Sequence, residues 1–248
     1  MAVARLVQFT DTHLVGDPAG TLRGIATLSS LRRVLDVAAD DLASADAVLV
    51  TGDIVQDEPS GYAHLRSLLA PLGKPVWCLP GNHDEPVALR KALEAIPFAC
   101  CPVRDLDAWR IVLLDSVVPG EVSGTLAPGE LERLELALAG ARGPVLIALH
   151  HPPIPSRSRW LDPIGLTNSA SLWAIIDRHP NVRGVLWGHV HQEQDEHRGH
   201  VRCLATPSTC LQYAPEVDEF TIDTRPPAYR RLTLHPDGRI DSEVVWCR

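Results

Sequence analysis

Five short clusters of carboxylate, imidazole and amide side chains recur along this 248-residue chain. They are Asp11 and His13 in "DTH", Asp53 in "TGD", Asn82 and His83 in "GNHD", His150 in "HHPP", and His189 and His191 in "GHVH". Imidazole nitrogens mixed with carboxylate and amide oxygens suit borderline divalent metals such as Mn, Fe or Zn, and not soft thiolate sites. Asp11, His13, Asp53, Asn82, His150, His189 and His191 make seven donors, where one tetrahedral metal needs three or four. Seven donors with one carboxylate able to bridge describe two metals, about 3.5–4 Å apart. Each cluster alone has a structural explanation: an Asx-turn or helix cap for "DTH", a strand-to-turn exit for "TGD", a rigid loop for "HHPP". Their joint occurrence, in order, is what points to a metal site.

Elements must bring these groups together. "ARLVQFTD", "AVLVTGD", "KPVWCLPG", "WRIVLLDS", "PVLIALH" and "VRGVLWGH" are short apolar runs that read as buried strands. Between them Leu28, Leu31, Leu35, Ala38 and Leu42 recur at helical spacing. "YAHLRSLLAPL", "EPVALRKALEAI", "GELERLELALAG" and "SLWAIIDRH" read as further helices, with Pro86 suited to a first turn. Strand–helix alternation predicts βαβ units and a sheet covered by helices. The last fifty residues read as antiparallel strands, the final pair turning at Pro236–Gly238. No linker or repeat divides the chain, so residues 1–248 are expected to form one domain. The polar clusters fall at strand exits, which in an α/β sheet converge on a common crevice. Gly52, Gly81 and Gly188, each just before a donor, would let the backbone turn tightly beneath the cluster.

Composition narrows the class of molecule. Hydrophobic residues make up 45% and aromatics 5%, the balance of a soluble globular protein. No apolar run approaches the roughly 18 residues that span a bilayer, and the N-terminus enters a strand without a signal-peptide pattern. A cytoplasmic location is the expectation. Six cysteines without a CxxC pair argue against a zinc ribbon or a thioredoxin-like site and read as buried thiols. The formal charge of −8 disfavours unspecific binding along a nucleic-acid backbone. It leaves room for small anionic substrates, which answer to the local field.

The series "DTH", "GD", "GNHD", "HHPP" and "GHVH" resembles the calcineurin-like metallophosphoesterase superfamily, α/β proteins folded as a four-layer α/β/β/α sandwich with two metals at the strand ends. Residue by residue, the resemblance implies that Asp11, His13 and His191 hold one metal. Asn82, His150 and His189 hold the other, and Asp53 bridges them. The fourth motif usually reads His-x-Pro, which selects His150 over His151. His13, Asp53, Asn82, His83 and His191 are implied to meet the substrate. "SRWLDPIGLTN", "ATPSTCLQYAP" and "FTIDTRPPAYRRLTLHPDG" are similar to the bacterial class III cyclic 3′,5′-AMP phosphodiesterases, a likeness covering nearly the whole chain. One departure stands out. Serine/threonine phosphatase relatives carry an Asp three residues after the bridging Asp, where it orients the catalytic His. Here that place is Gln56, with Asp57 one further on.

The resemblance implies a phosphodiesterase with two divalent or mixed-valence ions, Fe and/or Mn or else Zn. It would convert 3′,5′-cyclic AMP to 5′-AMP by attack of a metal-bridging hydroxide, with His83 as proton donor to the leaving alkoxide. Asp84 is expected to cap the helix that begins at Glu85 or Pro86, ahead of the alternative that it tethers the turn. Trp160 either stacks on a base or packs its loop, and Arg157 and Arg159 are expected to be solvated, ahead of the alternative that they contact phosphate. The rivals are a phosphodiesterase for 2′,3′-cyclic nucleotides or glycerophosphodiesters, a catalytically silent metal-binding scaffold, and a nuclease. A silent scaffold should lack a ligand or the His83 position, and none is missing; the acidic balance opposes a nuclease. The partner expected is a small nucleotide, with no nucleic acid and no membrane, and a homodimer is compatible with the sequence.

Overall fold

The computed structural model describes residues 2–247, so the two ends of the expected domain, Met1 and Arg248, lie outside the described residues. Strand β1 (Ala4–Phe9) is followed by a small hairpin, β2 (Thr21–Leu22) and β3 (Ile25–Ala26), then by helices α1 (Thr27–Val37) and α2 (Ala39–Ser44). Next come β4 (Ala47–Thr51), α3 (Tyr62–Leu69), β5 (Val76–Leu79), α4 (Pro86–Leu93) and β6 (Phe98–Cys100). The chain continues through β7 (Val103–Leu106), β8 (Trp109–Leu113), α5 (Pro128–Ala139), β9 (Val145–Ala148), α6 (Ser169–Ile176) and β10 (Val182–Trp187). It ends with β11 (Gln194–Arg198), β12 (Val201–Ala205), β13 (Gln212–Tyr213), β14 (Ile222–Asp223), β15 (Ala228–Leu234) and β16 (Ile240–Trp246).

Two six-stranded sheets result, in the orders β16–β15–β1–β4–β5–β6 and β11–β12–β10–β9–β8–β7. β1, β4, β5 and β6 are parallel, as are β8, β9, β10 and β12. The two-residue period of a strand explains how the sheets stack. On β4, Val48 and Val50 join Leu31, Val34 and Leu65 of the helices in one core, while Ala47 and Leu49 face the other way. On β9, Val145 and Ile147 join Leu134 and Leu172 of α5 and α6 in a second core. Their alternates Leu146 and Ala148 meet Leu49, Trp77 and Leu186 in a third core shared by both sheets. The layers therefore run helix, sheet, sheet, helix.

Several local expectations change. The periodic stretch Leu28–Leu42 is two helices that break at Ala38. β12 is antiparallel only to β11 and runs parallel to β10, so the C-terminal fifth divides between both sheets and is not a purely antiparallel unit. β6, β7 and β11 are strands that the apolar pattern did not reveal, β11 because Gln194–Arg198 is a polar edge. Among the described residues no helix is long and apolar enough to cross a membrane.

Candidate metal centre

The C-terminal ends of β1, β4 and β5 in one sheet meet those of β9 and β10 in the other, and all seven proposed donors lie there. Asp11, His13, Asp53, His150, His189 and His191 are buried. Two subsets form. In the first, His13 Nε2 lies 3.1 Å from His191 Nε2, and His191 Nε2 lies 3.3 Å from Asp11 Oδ1. In the second, His189 Nδ1 is 3.0 Å from Asn82 Oδ1 and 3.2 Å from His150 Nε2, and His150 Nε2 is 3.3 Å from Asn82 Oδ1. Asp53 Oδ2 lies between the subsets, 3.4 Å from His150 Nε2 and 3.9 Å from His13 Nε2. Ligands bonded at about 2.0–2.2 Å to one ion sit about 3.0–3.4 Å apart, which is the spacing within each subset.

Hydrogen bonding selects the same use of these rings. His13 Nδ1–H donates to Gln56 Oε1 at 2.8 Å, His150 Nδ1–H to the Thr51 carbonyl at 2.9 Å, and His191 Nδ1–H to the Leu211 carbonyl at 2.7 Å. Fixing the proton on Nδ1 turns each Nε2 into the centre as the ligand atom. At the His13–His191 contact two neutral rings would set their Nε2 lone pairs against each other, a repulsion that a cation relieves. The donor set therefore fits a pair of divalent ions and contains no thiolate. Cys78 is a buried residue of β5, and all six cysteines are free. His151 is occupied elsewhere: Nδ1 meets Ser116 Oγ at 2.8 Å and Nε2 meets the Val122 carbonyl at 3.1 Å.

The backbone is bent to make this centre. Asp11, His13, Asp53, His189 and His191 all have φ between 45° and 67°, in the left-handed region that non-glycine residues seldom occupy. Such strain concentrates at functional sites. Gly52, at φ 92°, has no room for a side chain, because a Cβ would collide with His150. Burial would raise the Asp53 carboxyl, but the charge and hydrogen bond of His150, with His13 and His83, hold it well below the usual carboxylate range. Asp11 is likewise held low, burial being outweighed by His191 and His150. Burial alone would lower His150, yet Asp53 raises it to about 9. His13 is pushed down to about 4 by burial. Two charged carboxylates out of water require cationic partners.

His83 stands at the rim. Its Nδ1 is 3.0 Å from Asp57 Oδ1 and 2.9 Å from Gln56 Nε2, so both candidates for orienting it reach the same nitrogen. Gln56 cannot be flipped freely, since its Oε1 accepts from His13. Its amide therefore donates to Asp57 Oδ2 at 2.9 Å, which leaves Asp57 Oδ1 as the acceptor for a proton on His83 Nδ1. The His83 backbone N–H donates to Asp53 Oδ1 at 2.9 Å.

Asp84 corrects an expectation. The side chain capping α4 is Glu85, which accepts from the Val87 and Ala88 amides. Asp84 instead tethers the turn: it accepts from the Gly81, Ile54 and Val55 amides and the Tyr62 hydroxyl. It thus ties the turn bearing Asn82 and His83 to the turn bearing Asp53. Arg157 is exposed but ion-paired to Glu196 and Glu216, and Arg159 is exposed. Tyr213, which nothing in the sequence singled out, stacks on His191 with ring centroids 4.2 Å apart.

Comparison with known proteins accords with this geometry. Residues 4–193 match the family described as calcineurin-like phosphoesterase. The chain is 42% identical over 242 residues to a Pseudomonas aeruginosa protein named 3′,5′-cyclic adenosine monophosphate phosphodiesterase CpdA, covering 96% of this chain and 88% of that one. The Escherichia coli protein of the same name is 39% identical over 98% of this chain and 90% of its own. In fold, the chain is similar to a dimetal phosphatase from Danio rerio, with a TM-score of 0.67 at 14% identity over 99% of both chains. With its five motifs gathered at the ends of five strands, the chain belongs to the calcineurin-like phosphoesterase family.

Proposed function

We propose that the chain is a dinuclear-metal phosphodiesterase that hydrolyses 3′,5′-cyclic AMP to 5′-AMP. The observation carrying this reading is the near full-length similarity to proteins named for that activity, on a centre whose seven donors are all present. Asp11, His13 and His191 would hold one ion, and Asn82, His150 and His189 the other, with Asp53 between them. Nitrogen and oxygen donors favour Mn or Fe, with Zn also suited. Bound ions would supply the positive charge that activates water and neutralises the phosphoryl oxygens.

The chain's own residues do the rest. His13, Asp53, Asn82, His83 and His191 face the phosphate. His83 gives the proton from Nε2 to the departing 3′-oxygen, an alkoxide that leaves poorly without one. Asp57 accepts from His83 Nδ1–H and is itself held by the Gln56 amide, and so aims Nε2 at the crevice. Asp84 keeps the His83 turn in register with Asp53. A silent scaffold has no need of this supported rim histidine. The reading takes the chain as one cytoplasmic domain working on a small nucleotide, with no nucleic acid or membrane partner, and is compatible with a homodimer.

The test is a panel of diesters assayed with Mn and with Fe, products separated by chromatography. 3′,5′-Cyclic AMP should yield 5′-AMP, and chelation should abolish it. Turnover confined to 2′,3′-cyclic nucleotides or glycerophosphodiesters would overturn the substrate and leave the family in place.

A further inference from the structure

An aromatic wall continues outward from the metal centre. Tyr213, stacked on His191, meets Trp160 edge-on at 5.1 Å and Phe220 at 5.3 Å, and Trp160 meets Phe220 at 5.1 Å. Two loops are stitched together to hold these rings. The Arg159 amide donates to the Val217 carbonyl, the Glu216 amide donates to Ser158 Oγ, and Arg157 pairs with Glu216. Phe220 is nonetheless 41% exposed, the one aromatic ring among the exposed large apolar side chains of the described residues. The indole N–H of Trp160 is buried without a partner.

Arg23 rests on the exposed ring, its guanidinium carbon 4.6 Å from the Phe220 centroid. It occupies the tip of the β2–β3 hairpin, where Arg23 and Gly24 have φ of 47° and 82°. Such two-residue turns favour Asn, Asp or Gly at the first position. An arginine there is strained, and among the described residues it makes no ion pair that would account for it. Strain, a cation without an ion pair and an exposed aromatic ring coincide two rings beyond a proposed metal ligand.

We propose that Phe220 and Arg23 form the nucleobase seat of the crevice: the Arg23 guanidinium, which rests on the Phe220 ring in this structure, lifts from it, and the base inserts between the two, stacked on Phe220 with Trp160 and Tyr213 behind it and Arg23 over its other face. This rests on the cyclic-nucleotide reading above. Planar bases stack well on aromatic rings and guanidinium planes, and a base-free phosphate ester has nothing to place there.

The experiment compares cyclic AMP with ribose 3′,5′-cyclic phosphate, the same ring without a base. In Phe220→Ala the ratio of their kcat/KM values should fall about tenfold, through KM for cyclic AMP. Arg23→Ala should lower it in the same direction, and Phe220→Tyr should restore it. Calorimetric binding of 5′-AMP against ribose 5-phosphate to the Mn-loaded chain reads the same preference without turnover. Equal handling of the two cyclic phosphates by the parent chain, or an unchanged ratio in both alanine variants, overturns the seat while the proposed reaction stands. If neither cyclic phosphate is hydrolysed, the proposed reaction fails. The calorimetric preference then decides the seat: loss in Phe220→Ala supports it, and no preference in the parent chain overturns it.

Discussion

Replacing Asp84 by alanine should destabilise the fold by about 3–5 kcal/mol, the upper range for one substitution. Asp84 is buried and accepts four hydrogen bonds: from Gly81 N–H at 2.9 Å, Ile54 N–H at 3.1 Å, Val55 N–H at 3.2 Å and the Tyr62 hydroxyl at 3.0 Å. Alanine strands all four donors, each costing about 1–3 kcal/mol if left unmet, and water entering the vacated space recovers part of that. Asparagine behaves differently. Its oxygen can serve the Gly81 and Ile54 amides, and its amide can donate to the Tyr62 hydroxyl, leaving only the Val55 amide opposed. The cost should then be about 1–3 kcal/mol. Urea unfolding of the chelator-treated chain measures both, and a thermal scan should show alanine lowering Tm by about 6–20 °C. An alanine variant within about 1 kcal/mol of the parent would refute the tether. Equal losses for alanine and asparagine would refute the donor count behind the magnitude.

Two further substitutions separate ligands from helpers. His83→Ala should retain both metals and slow cyclic AMP hydrolysis by roughly 10²–10⁴, with a far smaller loss on a p-nitrophenyl diester, whose leaving group departs unprotonated. An equal loss on both substrates, measured side by side, would mean His83 is not the acid. Gln56→Ala removes the acceptor from His13 Nδ1–H and should weaken Mn binding by about 10–100-fold in a calorimetric titration. Unchanged affinity would show that Gln56 does not support His13.

Much of the centre was legible because buried parallel strands read as apolar runs, and the polar clusters ending them had no other common explanation. What stayed hidden depended on tertiary reach. Asp84 precedes a helix and could have capped it; only the approach of the Ile54–Val55 backbone makes it a tether. Gln56 and Asp57 were equal candidates for His83 until the fold showed both at one nitrogen. Tyr213 carries no motif, and its place on His191 follows from where β12 and the loop beyond it return. The break at Ala38 was invisible because the leucine period runs straight through it.

The account stands most directly on metal stoichiometry. Elemental analysis of the Mn-reconstituted chain after desalting should find two equivalents per chain, and Asp53→Ala should no longer hold both, since its Oδ2 lies between the two donor sets. One tightly held equivalent, unchanged by Asp53→Ala, would contradict the dinuclear centre.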